Sequence, residues 1–239
     1  MGNLGVVNPT KLDHVAYWVA DRDPIADFLT AHLGMHVIDR TDRFTLLGAD
    51  ARRGKLTLFV AEAPRDRGAL EHVALRVGDL GAALAELPSG LAVERRRAGE
   101  AYFDVGAEGV RLGLVEAPGH DYDLDHVALR SSTPEKTAAE YGSFGFAPAP
   151  PGASGAPRVE VGGAFVEFHP GEPGTPDRPL LNHLAVLVES ADEHIAAAHD
   201  LGIEIDDVVD APNTYAVFLQ GPEHVRVEYV EHKPTFSLN

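Results

Sequence analysis

At 239 residues, 44% of them apolar and 24% charged, the chain is long enough to bury a sizeable core, and its composition excludes disorder as a default state. Lys and Arg number 20 against 37 Asp and Glu, a formal charge of −17 that repels nucleic-acid phosphates and anionic lipid headgroups, so the expected partner is a small molecule rather than nucleic acid or membrane. The absence of cysteine removes thiolate catalysis, disulfides and Cys-based metal sites, leaving any metal to His, Asp and Glu. Met1–Thr10 lacks a basic segment followed by an apolar core, and no apolar run approaches the ~20 residues that cross a bilayer. The expected location is the cytoplasm.

Four stretches share one pattern: Asp13-His14-Val15-Ala16, Glu71-His72-Val73-Ala74, Asp125-His126-Val127-Ala128 and Asn182-His183-Leu184-Ala185. Their histidines lie 58, 54 and 57 residues apart, a spacing that argues for four repeated structural units.

Unit one, from about Lys11 to Pro64, opens with a predicted strand His14–Ala20, in which His14, Ala16 and Trp18 share one face. Asp23 and Pro24 open a helix as N-cap and first helical residue, Ile25, Phe28, Leu29 and Leu33 recur at helical spacing, and Gly34 closes it. Three short strands follow at Met35–Ile38, Arg43–Leu47 and Lys55–Val60, so the unit is βαβββ. Unit two repeats the order: strand His72–Val77, a helix capped by Asp79 and ending at Pro88, then strands near Leu91–Arg95, Ala101–Val105 and Val110–Val115. Unit three has strand His126–Arg130, a helix behind Thr133 and Pro134, and strands near Phe146–Ala149, Pro157–Val161 and Ala164–His169. A Pro- and Gly-rich loop, Glu172–Pro179, leads to unit four, with strand His183–Val188, a capping box Ser190-x-x-Glu193, helix Ala191–Leu201, C-cap Gly202, and strands near Ile203–Val208, Thr214–Leu219 and Val225–Val230. The tail Lys233–Asn239 is expected to be loose.

One such unit cannot bury a sheet face alone, so the units must pair. The predicted fold is α+β: residues 1–120 as an N-terminal pair and 121–239 as a C-terminal pair, each a curved mixed sheet around a cleft with helices outside. This takes sequential neighbours as partners; a pairing of unit one with unit four would divide the metal site described next.

The last strand of each unit can run beside the first. There, unit four carries Glu228, unit three Glu167, unit two Gly113 and unit one Thr57. A carboxylate flanked by Val, Phe or Tyr in a strand is costly to bury unless it is paired or bound to a metal. His126, Glu167, His183 and Glu228 therefore form the candidate ligand set for a divalent Zn, Ni, Fe, Mn or Co ion, whereas His14 and His72, whose own units lack a carboxylate, read as structural remnants.

With these residues in view, the chain resembles the vicinal oxygen chelate superfamily, which includes glyoxalase I, bleomycin-resistance proteins, methylmalonyl-CoA epimerase and extradiol dioxygenases. The resemblance rests on the four His-containing openings and on Phe218-Leu219-Gln220-Gly221-Pro222-Glu223-His224-Val225-Arg226-Val227-Glu228, similar to that family's aromatic-x-x-D-P-x-G-x-x-x-E ending. It implies His126, His183 and Glu228 as metal ligands, with Glu167 as the fourth ligand of the glyoxalase and epimerase branches. The expected activity is that of a lyase or isomerase acting on a small substrate with adjacent oxygen atoms, in which Glu167 or Glu228 moves a proton next to a carbonyl. By strand alternation Phe165 and His169 accompany Glu167, Arg226 accompanies Glu228, and Arg130 accompanies His126, giving a candidate substrate-binding set with Arg130 or Arg226 as carboxylate clamp. An Fe(II) extradiol-type dioxygenase using His126, His183 and Glu228 is the alternative, although Phe218 replaces that branch's tyrosine ten residues before the glutamate. A small-molecule binding protein of the resistance type is the third. A homodimer is compatible with all three.

Overall fold

The computed structural model describes residues 9–49 and 55–236; most of Met1–Thr10, residues 50–54 and the last three residues of the tail lie outside it. Unit one contains β1 (Lys11–Val19), α1 (Arg22–His32), β2 (His36–Arg40), β3 (Phe44–Gly48) and β4 (Lys55–Val60). Unit two contains β5 (Leu70–Val77), α2 (Leu80–Ala85), β6 (Glu94–Arg97), β7 (Glu100–Val105) and β8 (Val110–Glu116). In unit three β9 (Asp123–Ser131), α3 (Pro134–Gly142), β10 (Ala147–Ala149), β11 (Arg158–Val161) and β12 (Ala164–Pro170) follow in the same order. Unit four has β13 (Leu181–Leu187), α4 (Ala191–Leu201), β14 (Ile205–Asp210), β15 (Thr214–Gln220) and β16 (Arg226–His232).

The βαβββ reading holds for all four units, and local chemistry accounts for the helix ends. Ser190 accepts from the Glu193 amide (3.3 Å), Gly202 takes the left-handed conformation at the C-cap (φ 65°), and Asp79 accepts from the Ala82 amide (2.8 Å). At α1 the helix starts earlier than expected: Asp21 is the N-cap and makes no side-chain cap bond, and Glu108 of unit two accepts from the amides of Ala20 (2.6 Å) and Asp21 (3.1 Å), just ahead of the helix. The start of the tail is also tied down, through Lys233 N–H to the Asn213 carbonyl (2.9 Å) and Phe236 stacked on His232 at 3.6 Å.

The strands form two eight-stranded mixed sheets, one in the order β14-β15-β16-β13-β1-β4-β3-β2 and the other β10-β11-β12-β9-β5-β8-β7-β6. Unit one therefore pairs with unit four and unit two with unit three, which corrects the division at residue 120. In each sheet the two first strands meet antiparallel at the centre, β1 with β13 and β5 with β9. Linker length explains the pairing. Six residues join β8 to β9, too short a link to leave the sheet, whereas nine join β4 to β5 and ten join β12 to β13, and these two carry the chain across and back.

Strand alternation sets the layers. Val15, Tyr17 and Val19 of β1 and their counterparts in the other central strands point to the convex side, where both sheets and the helices share one continuous apolar core. The opposite faces, carrying the histidines, line two separate concave clefts.

Candidate metal centre

The first cleft gathers His14 from β1, His183 from β13 and Glu228 from β16. Register fixes their meeting: His14 stands opposite Ala185 across the antiparallel pair, and Ala185 stands opposite Glu228 across the parallel one. His14 Nε2 lies 3.0 Å from His183 Nε2 and 3.3 Å from Glu228 Oε2, and His183 Nε2 lies 2.9 Å from the same oxygen. Among the described residues, this is the group of three such side chains whose ligand atoms converge within 4.8 Å. Ligands about 2.1 Å from one ion sit roughly 3.0–3.4 Å from one another, the spacing found.

The hydrogen bonds behind these atoms create a demand for positive charge. Asp13 accepts from Nδ1–H of His14 (2.8 Å) and Asn182 from Nδ1–H of His183 (3.0 Å), so both Nε2 atoms turn lone pairs inward toward the carboxylate. Glu228 Oε2 is buried there without a hydrogen-bond donor directed at it. A cation satisfies all three: a proton on His14 or a divalent metal. Burial alone would lower the His14 pKa, but the neighbouring Asp13 and Glu228 carboxylates outweigh it and raise it to about 9. Burial would raise the Glu228 carboxyl, yet His183 and His14 hold it well below the usual range, while burial lowers His183 despite Glu228. The residues fit a resident metal with two imidazole nitrogens and one carboxylate oxygen.

Behind His14 a buried ion pair joins Asp13 to Lys55 Nζ (2.7 Å), with His232 Nε2 3.2 Å from the other side of the Asp13 carboxylate. Burial would raise the Asp13 carboxyl; Lys55, His14 and His232 outweigh it and hold it low. The wall around the site is aromatic: Phe218 meets the His183 ring at 5.3 Å, Phe59 at 6.2 Å, and Trp18 packs on Phe59. Arg226 lies over Phe218 at 4.0 Å, paired with Asp206 and Asp207. A cavity of about 430 Å³ lies at the edge of this cleft, walled by Trp18, Asn182, Gln220 and Arg226 together with the loop 174–179; His14, His183 and Glu228 do not line it. Thr57, opposite Ala16 in the register that places Glu228 opposite Ala185, occupies the position where a fourth ligand would stand.

The other predicted ligands, His126 and Glu167, stand in the second cleft, so the four-residue set is divided between the sheets. His126 Nε2 faces His72 Nε2 at 3.0 Å, with ring geometry (5.1 Å, 77°) matching that of His14 and His183 (5.1 Å, 76°). Glu167 is held by Arg158 Nη1 (3.4 Å), His169 Nε2 (3.4 Å) and Ser154 Oγ (3.5 Å), under the backbone of Gly152, where any Cβ would overlap its carboxylate. The Tyr102 ring fills the space beside Gly113, 2.7 Å from where a Cβ would sit. Phe165 and His169 line this second cleft with Glu167, as alternation predicts, whereas Arg130 is exposed at the far end of β9 and does not line the cavity.

His14 is the member of this trio that the sequence left out of the candidate ligand set, because its carboxylate partner comes from a unit 170 residues away rather than from its own. Lys55, a lysine at the head of the apolar run Lys55-Leu56-Thr57-Leu58-Phe59, was the available signal for a buried charge at unit one.

Residues 11–93 match the model of the Glyoxalase/Bleomycin resistance protein/Dioxygenase superfamily. No curated protein matches the chain in sequence. Among solved structures it is similar to glyoxalase I from Zea mays, at 17% identity and TM-score 0.73 over 95% of this chain and 94% of that one. It is also similar to a candidate dioxygenase from Bacillus subtilis (15% identity, TM-score 0.76, 95% and 87%) and to the cppA protein from Streptococcus pneumoniae (16%, TM-score 0.62, 94% and 99%). By sequence over residues 11–93 and by architecture over nearly its whole length, the chain has the vicinal oxygen chelate fold of the glyoxalase, bleomycin-resistance and dioxygenase superfamily.

Proposed function

We propose that the protein is a divalent-metal-dependent enzyme that binds its metal through His14, His183 and Glu228 and acts on a small apolar substrate bearing two adjacent oxygen atoms. The convergence of two inward-facing imidazole lone pairs on a buried carboxylate oxygen with no donor of its own carries this reading. Two histidines and one carboxylate with open positions make a donor set suited to Fe(II) and to oxygenase chemistry. The division of the clefts favours that reaction class: Glu167, the second carboxylate that a four-ligand proton-transfer site would use, lies in the other sheet, and Thr57 stands in its place. A lyase or isomerase of the glyoxalase type is the second reading, favoured by the match to glyoxalase I over nearly both full chains.

The metal, when bound, supplies Lewis-acid and, as iron, redox chemistry. The chain's own groups do the rest. Asp13 and Asn182 fix the imidazole planes, Phe218, Phe59 and Trp18 exclude water and pack against an apolar substrate body, and Arg226 offers a charge at the cavity rim. Glu228 is the titratable group nearest the reacting atoms and the one able to accept a proton there. Elemental analysis of protein purified without chelators or a His-tag tests this. Stoichiometric iron lost in His14→Ala, His183→Ala and Glu228→Ala but kept in His126→Ala and Glu167→Ala is the expected result. Zn, Ni, Mn or Co with the same dependence transfers the assignment to the lyase or isomerase, and no metal in any sample leaves a binding protein.

A further inference from the structure

The two clefts carry the same histidine pair but different hydrogen bonding behind it, and the difference assigns them different ligands. In the second cleft only His126 has a side-chain acceptor at Nδ1, Asp125 at 2.7 Å; His72 Nδ1 is buried with no hydrogen-bond partner. His72 is therefore the Nε2–H tautomer, donating to the His126 Nε2 lone pair, and the pair is satisfied without a cation. Glu167 already has Arg158 and His169. The demand for a metal that marks the first cleft is absent here.

What the second cleft presents instead is three arginines on one cavity. Its cavity of about 430 Å³, within the usual range of roughly 300–1,000 Å³ for small-ligand pockets, is lined by Arg96, Arg97 and Arg158 with Tyr102, Val115 and Phe165. Arg158 lies over the Phe165 ring at 3.7 Å and Arg96 over the Tyr102 ring at 4.8 Å, which fixes both guanidinium planes. Arg158 donates through Nε to the Pro150 carbonyl (2.7 Å) and through Nη1 to Glu167; Arg96 donates through Nε to Glu94 (2.9 Å) and through Nη1 to Glu71 (3.2 Å). The Nη2 edges of both, and the whole of exposed Arg97, have no acceptor among the described residues. The carboxylates lining the cavity are engaged: Glu167 as above, Asp125 by His126, and Glu100 by the Tyr102 hydroxyl (3.3 Å).

We infer that the second cleft is a metal-free binding site for a small organic monocarboxylate, whose oxygens take the open guanidinium edges of Arg96, Arg97 and Arg158 and whose apolar body packs on Phe165 and Tyr102. Planar forks matched to a carboxylate, with apolar walls behind, suit an aromatic or branched acid better than inorganic phosphate.

Benzoate is the probe, titrated calorimetrically into the full-length protein. One saturable site is expected, with affinity at least tenfold weaker in Arg97→Glu and Arg158→Gln and unchanged in Arg226→Gln, which alters the first cleft. Arg97 is exposed and has no acceptor among the described residues, so Arg97→Glu folds even if Arg158→Gln, which removes one partner of Glu167, does not. Three results overturn the inference: no saturable binding to the wild type; affinity that Arg226→Gln weakens and Arg97→Glu does not; or a second tightly bound equivalent of Ni(II) or Zn(II) that His72→Ala abolishes.

Discussion

His14 and His183 differ in the residue in front of them, and that residue decides how each behaves. Asp13 presents a charged acceptor and Asn182 a neutral one, so the proton that the trio requires settles on His14, whose pKa rises to about 9, while His183 stays neutral. A metal must displace that proton. Its apparent affinity is expected to rise about tenfold per pH unit from pH 6.5 to about 9 and then level off, as measured by competition with a chelator at a series of pH values. In the metal-free protein the sign is opposite. A folded-state pKa above the ordinary imidazole value of 6.5 stabilises the fold fully below that pH, and the contribution is lost as pH rises through about 9. Asp13→Asn is expected to weaken metal binding roughly 10- to 100-fold and to flatten this pH dependence. Lys55→Ala leaves Asp13 buried without its main partner and is expected to cost about 3 kcal/mol in chemical denaturation. At this scale the sequence was legible for the types of ligand and for His183 and Glu228. It misled on His14, which reads as a structural remnant because its partnership with Glu228 is a fact of pairing that no local pattern encodes.

The elements were the most legible level. The caps at Ser190, Gly202 and Asp79 and the alternation in β1 and β12 are local chemistry and appear as read, whereas α1 starts earlier, where a side chain from another unit, Glu108, holds the amides of Ala20 and Asp21 that lead into it. The turn before β16 departs from local preference. Glu223 and His224 both take left-handed backbone (φ 57° and 58°), and His224 stands where the resembling ending has glycine. His224→Gly is expected to stabilise the protein by up to about 1 kcal/mol, seen as a raised Tm. The opposite holds at the β11–β12 turn, where Gly162 (φ 57°) packs on the Thr10 carbonyl so closely that a Cβ would overlap it. Gly162→Ala combines left-handed strain with that overlap and is expected to cost about 2–4 kcal/mol in the same measurement.

At the scale of the whole molecule, four near-identical openings make any pairing of units locally acceptable, so the repeat that reveals the fold also conceals its arrangement. Linker lengths of six, nine and ten residues carried the missing information. Because each sheet is completed by units from both halves of the chain, residues 1–120 or 121–239 expressed alone present two half-sheets each. Neither fragment is expected to unfold cooperatively, while co-expression of both is expected to restore one cooperative transition and the metal site. The side chains named in each cleft all come from one chain.

The outer pairing also brings the two ends of the described chain together: His232 reaches Asp13 at 3.2 Å, and Phe236 lies under the Lys55 ammonium at 5.1 Å. Joining the ends and opening the chain in the six-residue link between β8 and β9 would give a circular permutant with the unit order three, four, one, two. Every strand would keep its neighbours. Units four and one would become consecutive, so that His183, Glu228 and His14 would follow one another along a single uninterrupted stretch, and the candidate metal centre now divided between the two ends of the sequence would become a local motif.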